Sequence, residues 1–230
     1  MRCRLFVISL VIAVITSTSA LAYEVLANDN GDRLDSSGLI LLEVNWGRQW
    51  GCAGLDNAQL QKMTFKRLPD TALPDGDVTI KLKTPSRLFV DNRYQSYALL
   101  IEPGVYALSG FDVKIAQSTS KLGHLIAKPK DLFDDDKPIG GTFTVAVGEI
   151  VYIGHFSLDC SQEPVPWRYY IETLDEFDHY VSGFRTEFPN IGDRPVHYRL
   201  FSTEMFGSAY TLENNVTPST AGLVEDALRQ

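Results

Sequence analysis

Basic residues are in short supply in this chain: 21 Lys and Arg stand against 29 Asp and Glu, for a net charge of −8. An acidic surface does not attract phosphate backbones or anionic lipid, so nucleic acid and anionic membrane surfaces are poor partners for it. Cysteine is scarcer still, with three in 230 residues. There is no C-x-x-C and no closely spaced histidine pair, which excludes the common structural zinc sites. The sequence also lacks G-x-S-x-G, H-E-x-x-H, a P-loop and G-x-G-x-x-G. His124, His155, His179 and His197 are scattered through the chain. No catalytic, metal or cofactor residue is therefore assigned, and no cofactor is expected. Past the first 22 residues no apolar run is long enough to cross a membrane.

What is present begins with those 22 residues. Met1-Arg2-Cys3-Arg4 is a basic start, residues 5–15 are apolar apart from Ser9, and a small, polar stretch ends in Ala20-Leu21-Ala22. This is the layout of a secretory signal peptide cleaved after Ala22. Cys3 precedes the apolar run, so it is no lipid-anchor cysteine. The run is short for a membrane anchor, the alternative use of such a segment. The expected setting is the periplasm or the secreted space, with no membrane span in the mature chain. Cys52 and Cys160 then remain in an oxidising compartment and are expected to form a disulfide. Residues 23–212 are expected to form a single domain, followed by a mobile tail over 213–230.

The patterning of that domain is mainly β. Residues 39–46 (LILLEVNW) read as a buried strand, followed by a Gly-rich loop, GRQWGCAGLDN, over residues 47–57. Residues 60–68 alternate loosely, residues 70–77 form a turn, and Val78, Ile80 and Leu82 alternate with polar residues. Pro103-Gly104 separates two apolar runs, and Gly148-Glu149 separates two more. Between these units, residues 128–138 (KPKDLFDDDKP) read as a charged loop. The one convincing helix is 174–188, with Thr173 and Glu176 placed for a capping box and an apolar stripe of Leu174, Phe177, Val181, Phe184 and Phe188. Val196, Tyr198 and Leu200 suit a last strand. Strands and helices do not alternate, so the expected fold is an antiparallel two-sheet β-sandwich with one late amphipathic helix.

The segments Ile101-Glu102-Pro103-Gly104-Val105-Tyr106 and Val147-Gly148-Glu149-Ile150-Val151-Tyr152-Ile153-Gly154 resemble the PG-x-Y and GE-x-x-Y-x-G hairpins of exported bacterial β-sandwich proteins, mostly of unknown function. The likeness covers residues 97–158. It implies a sandwich and a cell-envelope or secreted setting, and it transfers no catalytic residue.

Trp46, Arg48 and Trp50, beside Cys52, form the candidate ligand or partner surface. Exposed tryptophans flanked by Arg and Asn make a platform for a sugar or a protein; otherwise they pack on the disulfide. His155 and Asp159 fall on one face of an extended strand and could serve a hydrolase. Asp131, Asp134, Asp135 and Asp136 offer oxygens for Ca²⁺, as does the polar turn at 28–32, though neither has EF-hand spacing. The helix stripe either docks a partner or covers the sandwich. Asn215-Val216-Thr217 is a glycosylation sequon. The expected function is non-enzymatic: an exported protein acting by protein interaction or in a structural role, with another envelope or extracellular protein as partner. A glycan or small-molecule binding module built on the Trp46/Trp50 loop and a hydrolase near His155 are the alternatives.

Overall fold

The computed structural model describes residues 33–69, 78–86, 88–91, 93–118, 121–169 and 173–203, together with the backbone of the short strand at Tyr23–Glu24. The expected leader, the turns at 28–32 and 70–77, the tail and the sequon at Asn215 lie outside the described residues. In chain order the elements are β1 (Tyr23–Glu24), β2 (Gly38–Asn45), β3 (Arg48–Trp50), β4 (Asn57–Arg67), β5 (Thr79–Lys83), β6 (Tyr94–Ile101), β7 (Gly104–Ser118), β8 (Lys121–Ala127), α1 (Pro129–Leu132), β9 (Phe133–Asp134), β10 (Lys137–Pro138), β11 (Thr142–Val145), β12 (Ile150–Asp159), β13 (Val165–Tyr169), α2 (Leu174–Glu187) and β14 (Val196–Tyr198).

The fold is mainly β, a two-sheet sandwich with a late helix, as expected. One sheet runs β1-β6-β2-β12-β13, with β14 also beside β12; the other runs β11-β7-β4-β3, with β5 on β4 and β8 on β7. Pairing is antiparallel except at β12, which runs parallel to β2 and to β14. Between β2 and β12 the chain passes through the opposite sheet, and that long connection lets β12 return in the same direction as β2.

Strand β2 reads as an unbroken apolar run because both of its faces are covered. Ile40, Leu42 and Val44 enter the core between the sheets, while Leu39 and Leu41 meet Phe184, Phe188 and Ile191 under α2. Helix α2 thus roofs the outer face of the β12 sheet, which is the covering role for its stripe. Thr173 Oγ1 accepts a hydrogen bond from the Glu176 N–H at 3.2 Å and caps the helix.

Loose alternation in the sequence marks β-bulges. In β12, Val151 and Ile153 face the core, and after a register shift at Gly154 so do Phe156 and Leu158. One extra residue therefore keeps the apolar set on one side. Gly154 has φ 107, and a Cβ there would lie 2.8 Å from both Cγ and Cδ of Arg168. In β4 the same device moves the core-facing set from Ala58 and Leu60 to Met63 and Phe65.

The two glycine turns correct the reading of hairpins. Pro103-Gly104 joins β6 to β7, and Gly148-Glu149 joins β11 to β12; in each case the two strands lie in different sheets. They are arches across the sandwich, with Gly104 at φ 147 and Gly148 at φ 75. Apolar runs on both sides of a tight turn are common to hairpins and arches, so the pattern does not separate them. The Tyr106 hydroxyl crosses its arch to donate to the Glu102 carbonyl at 2.8 Å. Its ring stacks on Phe143 at 5.2 Å, which ties the first arch to β11 at the foot of the second.

Cys52 and Cys160 are joined by a disulfide. Cys52 follows β3 in one sheet and Cys160 follows β12 in the other, so the bridge staples the sandwich at one end. The expected charged loop at 128–138 instead carries α1 and the β9–β10 hairpin. Asp135 and Asp136 turn that hairpin in left-handed conformations, φ 44 and 64, a geometry aspartate tolerates better than most residues.

Candidate functional site

The candidate surface lies where β2 leaves one sheet and β3 enters the other. Trp46, Arg48 and Trp50 would share a face on a continuous strand, but the strand breaks at Trp46-Gly47. Asn45 organises the corner: its Oδ1 accepts from the N–H of Gly47 at 2.8 Å and of Arg93 at 3.3 Å. Trp46 turns inward, has 0% exposure, and donates its indole N–H to the Tyr97 hydroxyl at 2.8 Å. It is a core residue and leaves the candidate surface, a correction to the two-tryptophan platform. Within β3, Arg48 and Trp50 alternate with Gln49, so both face outward. Trp50 is 67% exposed.

Strand register extends this pair into a groove. Trp50 lies opposite Asn57, Asn57 opposite Ala116, and Ala116 opposite Leu122. This row crosses four strands, so Trp50 and Leu122 stand about 14 Å apart at strand spacing. The small side chains of Asn57 and Ala116 form the floor between them. The next row is Arg48, Gln59, Lys114 and His124. Residues 88–91 strap across that row: the Val90 carbonyl accepts from the Arg48 N–H at 2.7 Å, and the Val90 N–H donates to Gln59 Oε1 at 3.1 Å. The resulting groove holds about 810 Å³ and is also lined by Leu55, Asp56, Leu88 and Phe89.

Two cation–ring pairs edge this groove. The Arg48 guanidinium sits 3.7 Å from the centroid of the Trp50 ring, and Lys114 Nζ sits 4.3 Å from that of Phe89. Arg48 is also ion-paired to Asp91. The groove is thus largely apolar in its walls, with Arg48 and Lys114 as its cations and Asp56, in the β3–β4 turn, also on its lining. Leu88, Phe89, Lys114 and Leu122 were not legible as site residues, because only strand register, for Lys114 and Leu122, and the Val90 strap, for Leu88 and Phe89, bring them to Trp50. Strand β8 itself has no counterpart among the expected strands, since Gly123 and His124 weaken its alternation.

The structure separates the other candidates. His155 and Asp159 both lie on β12 but do not meet. Asp159 accepts from the Ser161 N–H at 2.8 Å, while the His155 ring stacks on Tyr180 at 5.2 Å with Nδ1 3.4 Å from the Tyr152 hydroxyl. Burial pushes the His155 ring down to about 4, with Glu176 opposing, so it is neutral near pH 7. It is a packed ring rather than an exposed base. Asp131 accepts from the Lys128 N–H at 2.9 Å and closes α1. Among the described residues no three His, Cys, Asp or Glu side chains are grouped to hold a metal ion. No described helix is long and apolar enough to cross a membrane. A smaller pocket of about 300 Å³ lies between α2 and the β2–β6 edge, lined by Glu43, Glu176, Glu187, His179 and Tyr180. Burial, with Glu187 nearby, raises the Glu43 carboxyl above its ordinary value.

The fold and the groove together define a two-sheet sandwich with an aromatic cleft on the outer face of one sheet. Compared with protein-family models, curated proteins and solved structures, the chain matches none.

Proposed function

We propose that this chain is exported and acts by binding rather than catalysis, with the Trp50 groove receiving an apolar segment of an envelope or extracellular partner protein. The leader pattern and the Cys52–Cys160 bridge support export. One observation carries the binding reading: Trp50 is 67% exposed, yet it is held in place by Arg48, which is itself tied to Asp91. A large apolar ring held in water adds little to folding, whereas a fixed Trp–Arg pair in an apolar cleft is the composition of an interface hot spot. Leu88, at 75% exposure, and Leu122 flank it and supply the surrounding apolar contact.

The test is selection of peptides from a random displayed library on the mature protein, with counter-selection on Trp50→Ala. The reading predicts enriched peptides with an apolar anchor that bind the native protein and lose at least tenfold in affinity on Trp50→Ala. If none is enriched, or if the enriched peptides bind Trp50→Ala equally well, the reading fails. Neutral oligosaccharides run in parallel provide the competing outcome. A saccharide whose binding depends on Trp50, without any such peptide, would replace the protein partner with a glycan.

A further inference from the structure

The outer edge of β8 raises a separate question. Leu122, His124 and Ile126 face outward from the sheet, while Leu125 and Ala127 pack against the core. Leu122 and Ile126 are 61% and 54% exposed. Strand β8 pairs with β7 on one side and with no other strand among the described residues. Open edges are ordinarily protected by charge, proline or a bulge. This edge carries Lys121 only at its first position and reaches Pro129 only after Ala127. Its middle residue, His124, is engaged by Asp112 on the neighbouring strand at 2.7 Å.

The spacing of the exposed residues is self-complementary. We propose that β8 pairs with β8 of a second copy of this chain, antiparallel about a two-fold axis through His124. The seven residues Lys121–Ala127 then pair end to end. Leu122 of each copy lies directly opposite Ile126 of the other, so both exposed apolar side chains are covered. A one-residue shift would set outward residues against core-facing ones. A two-residue shift would set His124 opposite an aliphatic side chain and leave two residues of each strand unpaired. Only the His124-centred register avoids both. The symmetry is that of an isologous dimer, in which one patch meets itself. Because Leu122 also walls the Trp50 groove, Ile126 of the second copy extends that wall. The two β4 sheets become one continuous sheet across the dimer.

Sedimentation equilibrium of the mature protein, combined with oxidation of single-cysteine variants, tests this. The expected result is a dimer that Leu122→Lys with Ile126→Lys converts to a monomer of unchanged circular dichroism. His124→Cys is expected to form a covalent dimer under mild oxidation, since position 124 faces itself across the axis. Leu122→Cys is expected not to, since it faces Ile126. A monomer at every concentration tested overturns the proposal. So does a dimer in which His124→Cys fails to cross-link, or in which the two cysteine variants cross-link equally.

Discussion

The guanidinium of Arg48 lies 3.7 Å from the centroid of the Trp50 ring, two residues along the same face of β3. This contact fixes the exposed ring while leaving the groove beside it open. Arg48→Ala should therefore loosen Trp50 without unfolding the protein, because an ion pair whose Asp91 side is exposed and a cation–ring contact to the exposed Trp50 each contribute about 1 kcal/mol or less. Urea midpoints should move little, while tryptophan anisotropy falls and affinity for groove-selected peptides drops several-fold. A large loss of stability with unchanged affinity would show that Arg48 serves the fold instead.

The bridge between Cys52 and Cys160 closes a loop of 108 residues. Replacing both cysteines by alanine should cost about 2–5 kcal/mol, measured by urea denaturation. Thiol labelling of the unfolded, unreduced chain from Tyr23 onward should find no free cysteine.

Glu149 and His155 both weaken the fold as pH falls, while the raised Glu43 carboxyl works the other way. Two hydrogen bonds from Arg199, at 2.7 and 3.0 Å, hold the Glu149 carboxyl down to about 2, against 4.5 for an ordinary glutamate. Its stabilisation is present above pH 4.5 and is lost as pH falls towards 2. His155 is pushed by burial from 6.5 to about 4. The unfolded chain binds its proton first, so stability falls between pH 6.5 and 4, by about 3 kcal/mol in all. Thermal midpoints against pH should show both limbs. Glu149→Gln should flatten the lower limb and His155→Gln the upper; an unchanged upper limb in His155→Gln would contradict the buried neutral ring.

Two glycines should respond with opposite signs. Gly154→Ala places a methyl 2.8 Å from the side chain of buried Arg168 at φ 107, and should destabilise by about 2–3 kcal/mol. Gly183, within α2, has nothing within 4 Å of an added Cβ. Gly183→Ala should stabilise by about 0.5–1 kcal/mol. Equal effects in the two variants would contradict the bulge at Gly154.

Much of the sandwich was legible because burial writes itself into short strands. The 39–46 run up to Asn45, the alternation at Val78–Leu82 and the Thr173-capped helix, here ending at Glu187, appear as the sequence implies. Three things were hidden. Bulges at Gly154 and in β4 hid where the core-facing set changes along each strand. Tight turns at Gly104 and Gly148 looked like hairpins, since a turn's residues do not specify which sheet receives the next strand. The groove was half legible: Arg48 and Trp50 stood out, but a strand break buried Trp46, and Leu88 and Leu122 arrive only through tertiary register.

The most direct test of the groove is amide and indole NMR of the chain from Tyr23 onward as a Trp50-dependent peptide is added. The account predicts shift changes concentrated at the Trp50 indole N–H and at the amides of Asn57, Ala116 and Leu122, with the Trp46 indole unmoved in the core. Shifts concentrated on α2 or on the β2–β6 edge, with Trp50 silent, would contradict it.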